Sequence, residues 1–196
     1  MGVELWLVRH GETAWSLSGA HTSRTDIPLT DHGRKRAEEL RDYLRGTAFA
    51  KVFVSPMMRA RDTCAIAGFG AQAVVDNGLL EWDYGEAEGK TTHEMREKYH
   101  DPDWGVWTRT LVGGETVEQV GERADGVIAR ALAGTADDGK AALFAHAHIL
   151  RILAARWIGL AATGGQHFGL GTGSVSVLGW ERETRVVSHW NRGFED

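Results

Sequence analysis

Short apolar runs alternate along this chain with segments in which apolar residues recur at helical spacing. Four apolar runs are typical of buried strands: residues 3–8, 51–54, 141–145 and 174–180. Between the first two runs, Ala37, Leu40 and Leu44 lie three or four residues apart, and Thr30 is expected to cap that helix. Strands that alternate with helices predict an α/β fold, a three-layer sandwich in which helices cover both faces of a mostly parallel central sheet.

Local signals predict where further helices begin and end. Ser55 followed by Pro56 is typical of a helix cap with proline at the first helical position, and this helix is expected to run to about Ala67. Thr116 fits the first position of a capping box and precedes a helix with one apolar face. A last helix is predicted over residues 149–158.

Composition narrows the class of protein. The chain has 196 residues, 42% hydrophobic and 25% charged, which is typical of one soluble globular domain spanning residues 1–196. A net charge of -5 argues against partners such as nucleic acid or an anionic membrane surface. Cys64 is the single cysteine, so an internal disulfide is excluded and a reducing compartment is favoured.

Hydropathy also bears on localisation. No stretch approaches the length of a membrane span, and a strand that starts by Val3 leaves no room for a signal peptide. We therefore expect a cytoplasmic protein. The sequence leaves open whether it acts as a monomer or as a homodimer.

The first candidate for chemistry stands at the end of the first predicted strand, where Arg9 and His10 are followed by Gly11. Arginine offers a planar fork of donors that matches phosphate oxygens, and a neutral imidazole can attack phosphorus. Gly11 would let backbone amides approach a ligand closely. An Arg-His pair also occurs at strand ends by chance, so the pair alone does not decide the function.

Two further segments supply groups that suit an anion. Arg59 is predicted in the first turn of a helix, where free amides already favour negative charge. His146 follows a strand directly, as His10 does, and ligands of such sheets bind beyond the carboxyl ends of the strands. His148 and Arg151 either border the same pocket or pack structurally. The partners that a zinc site needs are absent at any recognised spacing, so no metal is expected.

Residues 79–89 contain the acidic candidates. Trp82 and Tyr84 would partly desolvate a nearby carboxyl group and keep it protonated, which suits a general acid. Four carboxyl groups compete for this role on composition alone: Glu81, Asp83, Glu86 and Glu88.

The motifs together resemble the histidine phosphatase superfamily, in the branch that contains the cofactor-dependent phosphoglycerate mutases and many small-molecule phosphatases. They occur in the family's order: Arg-His-Gly-Glu-Thr, Ser-Pro-x-x-Arg-Ala, Leu-x-Glu-Trp-x-Tyr-Gly and Ala-His-x-His-x-Leu-Arg. The resemblance runs from Leu7 to about Gly159, which is most of the chain.

This resemblance implies a role for each of five catalytic residues. His10 would be the nucleophile that becomes phosphohistidine, and Glu81 the proton donor. Arg9, Arg59 and a protonated His146 would bind the transferring phosphoryl group and spread positive charge over its oxygens. Glu81, then a carboxylate, would activate water for the second step, and neither a metal nor another cofactor would be required.

The resemblance also implies substrate contacts, which are residues that belong to less specific motifs. They are Thr22 and Ser23 in the loop of residues 19–30, Trp82 and Tyr84 beside the acid, Ala147, and the polar Thr13 and Ser16. Ala147 departs from the glycine that the family usually has there, so we expect retained activity with an altered pocket shape.

The expected activity is that of a phosphatase acting on a small phosphorylated metabolite, a sugar phosphate or a sugar-acid phosphate. A mutase would carry a longer insert with paired arginines after the acidic loop, whereas this short chain offers Arg109 alone. The loops around Trp15 and Glu81 look most like those of sedoheptulose bisphosphatase-type and broad-specificity phosphatases. The alternatives are a cofactor-dependent phosphoglycerate mutase and a non-catalytic protein that binds phosphorylated metabolites.

Overall fold

A six-stranded sheet lies at the centre of the structure, a computed structural model that describes residues 2–193. Its strands are β1 Glu4–Arg9, β2 Lys51–Val54, β3 Ala73–Val75, β4 Lys140–Ala145, β5 Val175–Glu181 and β6 Thr184–Arg192. The α-helices of this part of the chain are α1 Ala14–Ser18, α2 Asp31–Leu44, α3 Met58–Ile66, α4 Thr92–Tyr99, α5 Val117–Leu132 and α6 Ala147–Trp157. Short 3₁₀ segments lie at Asn77–Leu79, Gly85–Ala87 and Ala162–His167. The predicted domain of residues 1–196 includes residue 1 and residues 194–196, which lie outside the described residues.

The strand order is β3-β2-β4-β1-β5-β6. The first four strands of this order pair in parallel, and β5 and β6 are added antiparallel at one edge. The prediction of an α/β fold with a mostly parallel sheet is therefore confirmed.

Helices cover both faces of the sheet because successive strand residues point to opposite sides. Leu5 and Leu7 belong to a core on the side of α5 and α6, whereas Val8 belongs to a second core against α2 and α3. This arrangement is the predicted three-layer sandwich. Within residues 2–193, no helix has both the length and the apolar character that crossing a bilayer requires.

The predicted start of α3 is wrong. The helix begins at Met58 and not after Ser55, whose hydroxyl lies 2.7 Å from Nε2 of His146. The first amide of the helix instead donates to the side chain of Asp26, Met58 N to Oδ1 at 2.8 Å. By contrast, Thr116 caps α5 in the predicted capping box.

Candidate active site

The site forms where β1 and β4 end side by side. Arg9 is in register with Ala145, and the backbone N–H of His10 donates to the Ala145 carbonyl at 3.0 Å. The side chains that follow the two strands therefore meet, and the ring centroids of His10 and His146 are 5.1 Å apart. The structure thus places both histidines at the same end of the sheet, His10 in the wall of a cleft and His146 buried directly behind it.

A cleft of about 200 Å³ opens at this end of the sheet. It is lined by Arg9, His10, Thr13, Trp15, Ser16, Gly19, Ala20, His21, Thr22, Glu81, Tyr84, Ala147 and His148. Four of the predicted site residues lie behind this lining: Ser23, Arg59, Trp82 and His146. A larger cavity of about 520 Å³ lies beside α3 and β3 and is lined by none of the predicted site residues.

His10 has the protonation state that a nucleophile needs. Its Nδ1 lies 2.7 Å from the carbonyl oxygen of Gly11, which can only accept a hydrogen bond. The proton therefore sits on Nδ1, and Nε2 keeps its lone pair. Burial lowers the pKa of His10 well below 6.5, and the charges of Arg9 and Arg59 lower it further.

Gly11 serves packing and not ligand binding, contrary to the prediction. A Cβ at this position would lie 2.4 Å from the carbonyl oxygen of Gly33, so glycine permits β1 and α2 to approach closely. The Gly11 N–H donates to Oγ1 of Thr63 at 3.0 Å. This amide is therefore committed within the protein.

Arg9 presents a partly unpaired guanidinium at the cleft. Its Nη1 donates to the carbonyl of Leu170, but its Nε is buried with no hydrogen-bond partner among residues 2–193. An unpaired buried donor is unfavourable, and an anion in the cleft would satisfy it. This geometry fits an oxyanion-binding residue.

Arg59 is fully buried and holds the loop of residues 19–30. Nη1 donates to the carbonyl of Thr25 at 3.1 Å, and Nη2 donates to those of Thr22 and Ser23 at 3.3 and 3.0 Å. Nε donates to Nδ1 of His146 at 3.1 Å. Four of its five N–H groups are thus in use within the protein, and contact of Arg59 with a phosphoryl group stays a prediction.

His146 is neutral in this structure, which differs from the expected protonated form. Because Nδ1 accepts from Arg59, the proton sits on Nε2, which donates to Oγ of Ser55 at 2.7 Å. Burial lowers the pKa of His146 well below 6.5, and the nearby Arg59 adds to the effect. His146 can donate to a phosphoryl group once it releases Ser55, so its contact with phosphate stays a prediction.

Glu81 is the one of the four acidic candidates that lines the cleft. It is 4% exposed, and its carboxylate accepts three backbone N–H groups, two of them in the first turn of α6. Oε1 lies 2.9 Å from the amides of Trp82 and Ile149, and Oε2 lies 3.0 Å from that of His148. These donors and the positive helix end favour negative charge on Glu81, whereas we expected its aromatic neighbours to keep the carboxyl group protonated. The helix α6 begins at Ala147, two residues before its predicted start.

The other three acids hold structure around the site. Asp83 pairs with Arg24 at 2.6 Å, and Glu86 pairs with Lys98 at 2.7 Å. Glu88 accepts the backbone N–H groups at positions 23 and 25 at distances of 2.9 to 3.0 Å. Glu88 and Arg59 therefore fix the same loop from two sides.

Among the predicted substrate contacts, Tyr84, Thr22 and Ala147 line the cleft. Ala147 is not among the residues with positive φ, so this position does not require the family's glycine for its backbone conformation. Thr13 and Ser16 also line it, but their hydroxyls bond to each other's backbone in the capping box of α1.

Ser23 and Trp82 support the wall from behind. Oγ of Ser23 donates to the Glu81 carbonyl at 3.2 Å, and Nε1 of Trp82 donates to the Glu115 carbonyl at 2.9 Å. Both side chains are buried. Direct contact of either with substrate stays a prediction.

Five residues that line the cleft were not among the predicted site residues: Trp15, Gly19, Ala20, His21 and His148. His148 stands two residues after His146 at a helix start, which left its role open between pocket and packing. Trp15 and His21 lie in segments without a motif of their own. As for metals, residues 2–193 hold no group of three or more His, Cys, Asp or Glu side chains arranged to bind an ion.

The fold and the cleft together define an α/β protein that presents a neutral histidine and a partly free arginine to an anion. The family model of the histidine phosphatase superfamily, branch 1, matches residues 5–193. The chain belongs to this superfamily, as the motifs predicted.

Similar proteins include phosphatases. The chain is 42% identical over 196 residues to an acid phosphatase of Mycobacterium tuberculosis, covering 96% of this chain and 93% of that relative. It is 35% identical to sedoheptulose 1,7-bisphosphatase of Saccharomyces cerevisiae, covering 79% and 67%. A solved structure from a Mycobacterium tuberculosis open reading frame superposes with a TM-score of 0.90 at 37% identity, covering 98% of this chain and 99% of that one. The predicted enzyme class, phosphoric monoester hydrolase, is thereby confirmed.

Proposed function

We propose that this chain is a metal-independent phosphomonoesterase that hydrolyses a small sugar phosphate or sugar-acid phosphate through a phosphohistidine on His10, with Glu81 as proton donor. The observation that carries the proposal is the state of His10. Its Nδ1 is bonded to the Gly11 carbonyl, its ring is neutral, and it lines the cleft beside Arg9.

In the first step, Nε2 of His10 attacks phosphorus and the P–O ester bond breaks. Arg9 neutralises the phosphoryl oxygens through its unpaired Nε, while the buried charge of Arg59 lies behind the site. Glu81 in its protonated form gives its proton to the leaving oxygen, so that a neutral alcohol departs.

In the second step, water attacks the phosphohistidine. The Glu81 carboxylate, stabilised by the three backbone N–H groups, takes a proton from that water. The P–N bond breaks, inorganic phosphate leaves, and His10 and protonated Glu81 are restored. This route needs no metal ion.

Hydrolysis is favoured over the mutase reaction by the position of Arg109. This residue, which would be one of a mutase's arginine pair, is bound to Asp101 at 2.6 Å and does not line the cleft. The alternative of a non-catalytic binder is disfavoured because nucleophile, acid and anion-binding arginine all lie together.

The substrate class is supported by the cleft and the relatives. A cleft of about 200 Å³ suits a small metabolite. Two similar proteins are named as an acid phosphatase and as sedoheptulose 1,7-bisphosphatase. We further propose that the chain acts in the cytoplasm. We also propose that it forms a single domain, since β1 and β4, which precede the two histidines, belong to one sheet.

The test is phosphate release from p-nitrophenyl phosphate and from a panel of sugar and sugar-acid phosphates, with and without EDTA. We expect release that EDTA leaves unchanged and that His10→Ala abolishes, with ³²P trapped on histidine in an acid-quenched wild-type reaction. His93→Ala, on an exposed face of α4, is the matched control that keeps the activity. Interconversion of phosphoglycerates at a rate above phosphate release would instead identify a mutase, and binding without release would identify a non-catalytic protein.

A further inference from the structure

Tyr84 and His148 form a hydrogen-bonded pair inside the cleft that the proposed steps do not use. The phenol oxygen of Tyr84 lies 2.5 Å from Nδ1 of His148, and both side chains line the cleft. Tyr84 is 2% exposed, and burial raises the pKa of its phenol well above 10. The hydroxyl therefore keeps its proton, and within the described residues Nδ1 is the acceptor it reaches.

This bond determines which nitrogen of His148 carries a proton. Since Nδ1 accepts from Tyr84, the proton lies on Nε2, which has no hydrogen-bond partner in residues 2–193. Burial lowers the pKa of His148 well below 6.5, and Arg151 lowers it further. His148 is thus a neutral ring with one free N–H donor.

The position of that donor is fixed by rigid neighbours. The rings of Trp107 and Trp82 enclose the imidazole with centroid distances of 5.2 and 6.0 Å, and Tyr84 lies at 5.6 Å. The backbone N–H of His148 donates to Oε2 of Glu81 at 3.0 Å. The ring therefore stands next to the group that protonates the leaving oxygen.

The remaining wall of the cleft is electrically neutral. Of the described residues that line it, Arg9 carries the one permanent positive charge, and Glu81 is the one carboxylate. Burial lowers the pKa of His21, and Trp15 adds an aromatic surface. Beyond Arg9, no described residue that lines the cleft carries a permanent positive charge for a second phosphate or for a carboxylate; Arg151 acts on His148 from outside the lining.

We propose that His148 is a specificity-determining residue whose Nε2–H donates to a hydroxyl oxygen of a neutral, polyhydroxylated leaving group, with Tyr84 as the positioning residue that fixes its tautomer. The substrate class is then the monophosphate esters of neutral polyols and sugars. This inference rests on the proposed hydrolysis, and it narrows that proposal by excluding sugar acids and bisphosphates as preferred substrates.

The kinetic test compares two esters that differ by neighbouring hydroxyl groups, glycerol 3-phosphate and propyl phosphate. One neutral hydrogen bond predicts about a tenfold higher kcat/KM for the glycerol ester in the wild-type enzyme. His148→Phe and Tyr84→Phe should bring this ratio close to one. Tyr99→Phe, on the exposed surface of α4, is the matched control that keeps the wild-type ratio.

A spectroscopic readout separates this inference from the proposed function. Imidazole ¹⁵N spectra of the full chain should show His148 protonated at Nε2, should lose that tautomer preference in Tyr84→Phe, and should respond to glycerol 3-phosphate more than to propyl phosphate. Protonation at Nδ1, an unchanged kinetic ratio in both variants, or faster hydrolysis of 3-phosphoglycerate than of glycerol 3-phosphate would overturn the inference. If the spectra respond as expected but neither ester releases phosphate, the proposed hydrolysis fails, and the contact between His148 and the ester's hydroxyl group is supported as a binding contact alone.

Discussion

At the scale of single residues, burial sets the protonation of the site. His10, His146 and His148 all have pKa values well below 6.5, with burial as the largest cause in each. Each ring also has one nitrogen fixed by a named partner, which are Gly11, Arg59 and Tyr84 respectively. The end of the sheet where the cleft opens therefore holds three neutral imidazoles with defined tautomers.

The neutral state of His10 depends in part on the neighbouring cation. Arg9→Met removes a positive charge from beside the ring, so protonation becomes easier and we expect the pKa of His10 to rise towards 6.5. A histidine NMR titration measures this shift. Arg24→Met, at an exposed arginine paired with Asp83, should leave the titration of His10 in place. A pKa of His10 that stays at its wild-type position in Arg9→Met would contradict the electrostatic cause.

The sequence allowed us to identify those site residues that belong to a specific motif. Arg9, His10 and Glu81 were found because their segments occur in a specific order, and the structure brings them to one cleft. The role of His148 could not be predicted, because it depends on a phenol that lies 64 positions earlier in the chain. Trp82 is an aromatic residue of the kind that often contacts ligands, but here its side chain is buried and donates a hydrogen bond to the Glu115 carbonyl.

At the scale of elements, two helices begin at groups that are distant in sequence. Asp26 accepts from the first amide of α3, and Glu81 accepts from amides of α6. Rules for helix starts consider only neighbouring residues, so the predicted start of each helix was wrong by two positions. Where the cap was local, as at Thr116, the prediction was confirmed.

The contact between β1 and α2 depends on the absence of a side chain at Gly11. Gly11→Ala would place Cβ 2.4 Å from the Gly33 carbonyl, and we expect it to lower the free energy of unfolding by about 1–3 kcal/mol. Urea denaturation measures the change. In Gly105→Ala the nearest atom is Oγ1 of Thr108 at 3.5 Å, so that control should stay within about 0.5 kcal/mol of the wild type. Equal stability of the two variants would show that the backbone accommodates the added methyl group.

Two strands were missed because their residues do not form apolar runs. β3 spans only Ala73–Val75, and its two valines are more than half exposed. β6, Thr184–Arg192, is an edge strand whose side chains are mostly polar. Both strands are held by pairing with a buried neighbour, β2 and β5, and so by tertiary contacts that no local pattern contains.

At the scale of the whole molecule, the buried histidines couple stability to pH. In the unfolded chain they bind protons at the ordinary pKa of 6.5, whereas the native rings resist protonation. Below that pH the unfolded state therefore binds more protons than the native state, and stability falls as the pH falls.

We expect the free energy of unfolding to be level above about pH 6.5 and to decline below it, with a slope of up to about 1.4 kcal/mol per pH unit from each of the three histidines. Urea denaturation between about pH 7.5 and about pH 5.5 measures this slope above the range in which most carboxylates titrate. His93→Asn, at an exposed histidine, should show the wild-type slope. Constant stability across this interval would mean that the native rings take up protons as easily as free histidine.

The place of β1 between β4 and β5 has a consequence for synthesis of the chain on the ribosome. Arg9 and His10 leave the exit tunnel early, but the strands that flank them and the Leu170 carbonyl that receives Arg9 are translated last. In a nascent chain, His10 therefore waits for the neighbours that bury and orient it until more than 130 further residues have been translated. The cleft can therefore be completed only after the segment that contains Leu170 and β5 has emerged.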